Sequence, residues 1–182
     1  MKLKLTKLTL FFFAIFCHGL FAQELTPKQK TNLNQKIVLI QKIAADAKLI
    51  HEVVLNNQKP FTAYEQMTED EWFRLQYLDQ KIRFFTMTKA AKILRDQKDD
   101  SMTEMFINNA AGTKVAFLSK TSTWNHKDKP KHIEAMKNKI WIGTVEKDLS
   151  SGSLQIQVAV PILYEQKPIG SLVVGLAVQK LN

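Results

Sequence analysis

The sequence predicts an α+β domain, with long N-terminal helices packed on one face of a five-stranded antiparallel sheet. Three observations carry that expectation. Between residues 28 and 57 apolar side chains recur every three or four positions. After Ser101 the apolar period falls to two. Two alternating runs, Leu154 to Ile162 and Ile169 to Val178, close the chain. Helices first and strands last is the order of an α+β domain whose helices cover one sheet face.

The first residues stand apart. Lys2, Lys4 and Lys7 precede an apolar stretch from Leu8 to Cys17, and Leu20-Phe21-Ala22 follows. A basic head, a short apolar core and a small residue at the cut predict a signal peptide over 1–22. The core is too short for a membrane span. Phe16 before Cys17 argues against lipidation. The mature domain is then 23–182, in the periplasm or secreted, with its helical part over about 28–98 and its sheet over about 104–179. The whole chain of 182 residues carries a net charge of +9; without the leader it has 23 basic and 17 acidic residues, net +6, and no cysteine. Such a domain holds together by its apolar core and not by disulfides.

Leu33, Ile37, Ile40, Ala44, Ala47 and Val54 form the stripe of the first helix, and no Gly or Pro interrupts it. One continuous helix is expected over 28–57, packed on the sheet, with His51 half-buried on the same line. Part of the stripe is also a candidate seam for a homodimer. Asn56 to Pro60 ends it. Thr68-Glu-Asp-Glu71 is a capping-box pattern that opens a second helical region, 69–97. That region bears Trp72, Phe73, Leu75, Leu78, Ile82, Phe85, Ala91 and Leu94, and Thr86-Met-Thr88 is the point where it would divide.

Met105 to Asn108 and Val115 to Leu118 read as strands around the turn Asn109-Ala-Ala-Gly112, with Gly where positive φ is needed. A polar, lysine-rich loop, 119–139, leads to a third strand from Trp141 to Glu146. Lys147 to Ser153 is a turn, and so is Tyr164 to Pro168, whose proline belongs at an edge or in a loop.

Four pieces of this second half resemble the single-domain Cache family, also called PDC or PAS-like sensor domains. They are Asn109-Ala-Ala-Gly112 with Val115-Ala-Phe117; Thr121-Ser-Thr-Trp124 with Asp128; Ile142-Gly-Thr-Val-Glu146 with Asp148 and Ser150; and Gln157-Val-Ala-Val-Pro-Ile162 leading to Lys167-Pro-Ile-Gly170. The resemblance covers about 75 residues, and the preceding helices agree in kind. It implies an extracytoplasmic sensory module that binds a small organic ligand between the sheet and the long loop. In that family such modules sit on chemoreceptors, histidine kinases or cyclases. This sequence ends at Asn182 without a signalling domain, so a separate membrane receptor or kinase is the expected partner. Thr123 stands where the resemblance would place an acid and Lys127 where it would place Gly, which bears on the ligand more than on the fold.

Candidate ligand-binding residues follow from the loop and its flanks: Phe117, Ser119, Thr121, Ser122, Trp124, Asp128, Lys131, Trp141 and Glu146. Residues 114–147 hold eight lysines against Asp128, Glu134 and Glu146, a local net of +5. Lys131 or Lys120 is the expected contact for an anionic group, within what is otherwise a solvated basic surface. Thr121 and Ser122 can donate to a ligand, and Asp128 can accept from an amine. Trp141 reads as a core residue, and Trp124, among polar neighbours, as a pocket wall. His126, Asp128 and His132 lack the spacing and the fourth ligand of a zinc site and read as exposed loop residues.

No Gly-x-Ser-x-Gly elbow, His-Glu-x-x-His, phosphate-cradling loop or mature cysteine nucleophile is present, so neither an enzyme nor a cofactor is expected. Nucleic acid is not an expected partner, because no aromatic series accompanies the lysines. Two other readings have definite tests. A structural or interaction protein with this fold would have its pocket filled by Trp124, Trp141 and Phe117. A hydrolase would need an acid–base pair such as Glu146 with His126.

Overall fold

The structure, a computed structural model, describes residues 24–61, 64, 66–147 and 153–182. The leader expected over 1–22 and most of the 147–153 turn lie outside the described residues. Among those described, no helix is long and apolar enough to cross a membrane.

Helix α1, Pro27–Ala44, begins at a capping box in which Thr26 and Gln29 satisfy each other's backbone N–H, with Pro27 at its first turn. Helix α2 is Ala47–Gln58. The sequence predicts one uninterrupted helix here, and the structure corrects it to two. The Asp46 carboxylate accepts from the backbone N–H groups of Lys48 and Leu49 at 2.8 and 3.1 Å, starting a new helix. An aspartate in a helical stripe can cap as readily as it can face water. Beyond the break the stripe rotates. Leu49 and Val53 point inward, and His51, expected half-buried, is exposed.

The region 69–97 divides into three helices: α3 (Glu69–Arg74), α4 (Gln80–Thr86) and α5 (Lys89–Gln97). Thr68 closes the capping box expected of it, and the division at Thr86-Met-Thr88 occurs because Thr88 caps α5. The extra break, Leu75 to Asp79, takes Phe73 and Leu78 off the stripe and leaves them 81% and 86% exposed.

Five antiparallel strands follow: β1 (Met102–Asn109), β2 (Lys114–Phe117), β3 (Trp141–Lys147), β4 (Leu154–Tyr164) and β5 (Lys167–Ala177). Their spatial order is β2-β1-β5-β4-β3. A seven-residue helix, α6 (Pro130–Met136), interrupts the loop that the sequence leaves irregular. The α+β expectation holds, with six helices among the described residues.

Period-two alternation gives the sheet two faces. On the first, Met105, Ile107, Val158, Val160, Leu172 and Val174 meet Leu33, Ile37 and Ile40 of α1, Leu49 and Val53 of α2, and Leu94 of α5 in one core. Each such side chain, fully buried, contributes roughly 1.5–3 kcal/mol. A 3₁₀ turn, Val178–Leu181, ends the chain against α1, where Gln29 and Asn32 side chains donate to the Val178 and Leu181 carbonyls.

The β4–β5 turn is only two residues, Glu165 and Gln166, both at positive φ (48° and 66°), as a type I′ hairpin requires. Pro168 lies inside β5 at its end. It is tolerated there because β1 reaches only to Gly170, so nothing on that side asks for its missing N–H.

At the β1–β2 turn Gly112 has φ +81°, and a Cβ there would fall on the backbone of Lys127. Its carbonyl accepts from His126 N–H at 2.8 Å, which docks the long loop. Gly112→Ala is therefore expected to destabilise the domain by about 1–3 kcal/mol. Urea unfolding measures it, and an unchanged midpoint would refute the docking.

Candidate functional site

The second sheet face is organised in cross-strand rows, and each row has its own chemistry. Strand register aligns Phe117, Phe106, Val173, Ala159 and Trp141 into an apolar row across all five strands. Two residues to one side, Lys114, Asn108 and Ser171 form a buried polar row. Two residues to the other side, Glu104, Gly175 and Gln157 form a second polar row, followed by Gln155 opposite Glu146.

The apolar row is covered by Trp72, Phe85 and Trp124, all buried. Their rings pack with centroids 5.3 Å apart for Trp72–Trp124 and Phe85–Trp124, and 5.5 Å for Phe85–Phe117. Trp72 donates its indole N–H to the Thr121 carbonyl at 2.8 Å, so its one polar atom is satisfied. Glu69, at the start of α3, accepts from the N–H groups of Trp124 and Asn125 at 2.9 and 2.8 Å. These contacts pin residues 121–126 over the sheet.

Beside that aromatic cover the second polar row stays open, beneath a cleft of about 780 Å³. Its floor includes Glu104, Gln155 and Gln157; Lys131 and Glu146 also line it, with Ser119, Thr121 and Ser122 from the loop. Gly175 makes room for the floor. A Cβ on it would lie 2.6 Å from Thr103 Oγ1, 2.7 Å from Gln155 Oε1 and 2.8 Å from Glu104 Cγ. The floor groups are linked: Lys131 Nζ donates to Gln157 Oε1, and Gln157 Nε2 donates to Glu104. Burial lowers the Lys131 pKa, and the Glu104 and Glu146 carboxylates act against that.

Of the residues expected from sequence, the cleft brings together Ser119, Thr121, Ser122, Lys131 and Glu146, with Lys120 beside them. Trp141 flanks the site, its ring 6.0 Å from Lys131 Nζ. Phe117 and Trp124 lie in the aromatic core instead, and Asp128 is exposed outside the lining. Sequence reasoning missed the floor itself: Glu104, Gln155 and Gln157. The signal was present, since two glutamines alternate with Ile156 and Val158 along β4.

It also missed the buried row. Lys114 is 1% exposed, and His126 and His132, read as exposed loop residues, are each 2% exposed. Lys114 Nζ donates to Asn108 Oδ1 at 2.8 Å and lies 2.5 Å from His126 Nδ1, with the Phe106 ring 4.7 Å away. Asn108 Nδ2 donates to Ser171 Oγ at 3.0 Å, and Ser171 Oγ is 2.9 Å from His132 Nδ1. A register shift in the β1–β2 pairing produces this. Lys114 and Phe117, three apart, would face opposite ways in a regular strand; the bulge lets both face the loop. Burial drives the Lys114 pKa well down, with the nearby Lys131 charge adding to it. Burial likewise pushes His126 from 6.5 down to about 2, helped by Lys114, and lowers His132. Among the described residues no cluster of three or more His, Cys, Asp or Glu is placed to hold a metal.

No protein-family model matches the chain, and no curated protein matches it. Solved structures do. The sensor domain of the V. cholerae histidine kinase DctB is similar at 13% identity and TM-score 0.50, over 85% of this chain and 54% of that one. The ligand-binding domain of the Pseudomonas aeruginosa amino acid chemoreceptor PctC, in complex with GABA, follows at 10% identity and TM-score 0.47, over 85% and 58%. That of the Campylobacter jejuni chemoreceptor Tlp3, with 4-methylisoleucine, has 17% identity and TM-score 0.42, over 86% and 62%. The first likeness is one of fold, and it agrees with the Cache-type sensor fold expected from residues 109–170. The chain spans just over half the length of these structures.

Acid sensitivity follows from the buried histidines. Between pH 6.5 and about 2 the unfolded chain binds a proton at His126 and the folded one does not. Its contribution is complete above pH 6.5 and is lost as pH falls, by up to about 1.4 kcal/mol per pH unit. His132 shifts in the same direction. Urea unfolding at pH 7 and pH 5 should show the loss, and His126→Gln should flatten it. A variant slope as steep as the parent's would sink the assignment. Lys114→Met should raise the His126 pKa by NMR titration yet leave it below 6.5, because burial is the larger cause.

Proposed function

We propose that this chain is an exported sensor module, residues 23–182 after removal of the leader, which binds a small organic molecule bearing a carboxylate and passes occupancy to a separate membrane receptor or kinase. The observation that carries the proposal is the cleft: about 780 Å³, within the range of small-molecule sites, with Lys131 and Lys120 on its walls and a polar floor. Lysine offers only donors, which suits a carboxylate; Glu104 and Glu146 accept only, which suits an amine or a hydroxyl. Ser119, Thr121 and Ser122 supply neutral contacts, and Trp141 a flanking ring.

The competing reading, an interaction protein with the pocket filled, has partial support in the burial of Phe117 and Trp124. Yet those rings belong to the apolar row and its cover, and the second polar row beside them stays open. The cleft therefore favours the sensor. A homodimer through 28–57 has less to work with, because the apolar stripe is buried inside the chain and only Val38 and Leu55 of α1 and α2 remain as large exposed apolar side chains.

Lys131 donates to Gln157 Oε1. A ligand carboxylate accepting from Lys131 would displace Gln157 and reposition α6 on the sheet. Such a shift needs only a difference in affinity between the two arrangements.

A thermal-shift screen of amino acids, carboxylates and amines on the purified protein tests this. A ligand at 100 times its Kd adds about 2.7 kcal/mol, a Tm rise of roughly 5–10 °C for a domain of this size. Lys131→Met should weaken an anionic ligand roughly 10- to 100-fold, the worth of a charge-assisted hydrogen bond. If nothing in the screen raises Tm, the sensor reading fails.

A further inference from the structure

We infer that the cleft takes a sugar acid: a polyhydroxylated ring carrying one carboxylate. This rests on the ligand-binding reading above and narrows it. Its motivation is a pair of aromatic side chains that the core leaves out.

Phe73 and Tyr77 are 81% and 63% exposed, yet both line the cleft. They are held there. Lys120 Nζ donates to the carbonyls of Leu75 at 2.9 Å and Phe73 at 3.3 Å, tying the end of α3 and the start of the 75–79 segment to the loop at the cleft's rim. Lysine is suited to the orphan carbonyls of a helix end. Singly exposed apolar residues are ordinary, but two aromatic side chains on a segment whose backbone is anchored at the mouth of an otherwise polar cleft are not. An aromatic face there can take the C–H face of a sugar ring.

The rest of the lining has the matching chemistry. Thr103, Gln155 and Gln157 each donate and accept, as a hydroxyl does. Glu104 and Glu146 accept only, and hydroxyl donors satisfy them without a second charge. Lys131 supplies the donor for the carboxylate. Thr103 and Gln155 already pair at 2.7 Å over the bare strand at Gly175, so the floor presents its planar groups in fixed directions. A free amino acid would use the charged groups and leave most of the volume, both rings and the neutral floor to water. A sugar acid engages all three kinds of group at once.

Calorimetric titration of the purified protein with D-glucuronate, D-galacturonate, D-glucose, amino acids and simple dicarboxylates tests the inference. A uronate is expected to bind at least tenfold more tightly than D-glucose. Phe73→Ala and Tyr77→Ala, both at exposed positions, should each weaken it about tenfold with Tm unchanged, and Gln157→Ala should weaken it as well. Binding of amino acids or dicarboxylates with no uronate binding would overturn the sugar-acid inference and leave the sensor reading standing. So would uronate binding that the double aromatic variant does not alter. Silence from every class would remove both.

Discussion

A sheet whose middle strand is buried on both faces needs two covers, and in this chain the second cover is only as wide as its aromatic residues. Strand β5 is inaccessible from Gly170 to Ala177. The helices α1, α2 and α5 close its first face with aliphatic side chains. The second face is closed by α3, α4 and a loop, whose aromatic residues match only the apolar row Phe106–Val173–Ala159. One pleat along, the same three strands present Glu104, Gly175 and Gln157. Aromatic cover gains nothing over carboxylate and amide groups, which are costly to bury without partners. The cleft lies where the hydrophobic reason for covering the sheet stops.

On the opposite flank of the apolar row the chain buries polar groups and satisfies them. The Lys114 ammonium meets an amide oxygen, an imidazole nitrogen and the face of Phe106. Asn108, Ser171 and His132 continue the chain of bonds to the Ala110 carbonyl. A network in which each member has a partner fixes a unique arrangement, at the expense of tolerance to protonation. The loop therefore sits in one place at neutral pH. Its preorganisation comes from this row as much as from Trp72 and Glu69.

How much of this was legible in the sequence depends on how local each cause is. Alternation in Leu154–Ile162 and Ile169–Val178, the Asn109–Gly112 turn and the Thr68 capping box are local, and all three are found where the residues place them. The break at Asp46 was hidden because a single aspartate in a stripe reads as a surface residue until the two helices are seen to need different angles. Trp124 looked like a pocket wall because its sequence neighbours are polar, while its partners in space, Trp72 and Phe85, come from helices some forty to fifty residues earlier. Lys114 was hidden by a bulge, which reverses the facing of every residue beyond it. The cleft floor was legible but overlooked. Gln155 and Gln157 stand in plain alternation with Ile156 and Val158, but loops carry function more often than strands do.

The placement of the fixed contacts also decides which part of the loop a ligand could move. Residues 121–126 are bonded to α3 through Glu69 and Trp72 and to the β1–β2 turn through Gly112. A motion of the whole segment 119–139 would break all of these together. Helix α6 is different. It is seven residues long, has no side-chain N-cap, and packs on β3, β4 and β5. Its Lys131 is the one α6 side chain in the cleft lining. On the proposed reading, a ligand that takes Lys131 from Gln157 would act on α6 first and next on β3, an edge strand paired only with β4 among the described residues. Occupancy would then be read out at the α6–β3 edge, where Ile133, Ile140 and Ile142 are exposed. The helix stripe of α1 lies on the far side of the sheet, separated from the cleft by the close-packed aliphatic core.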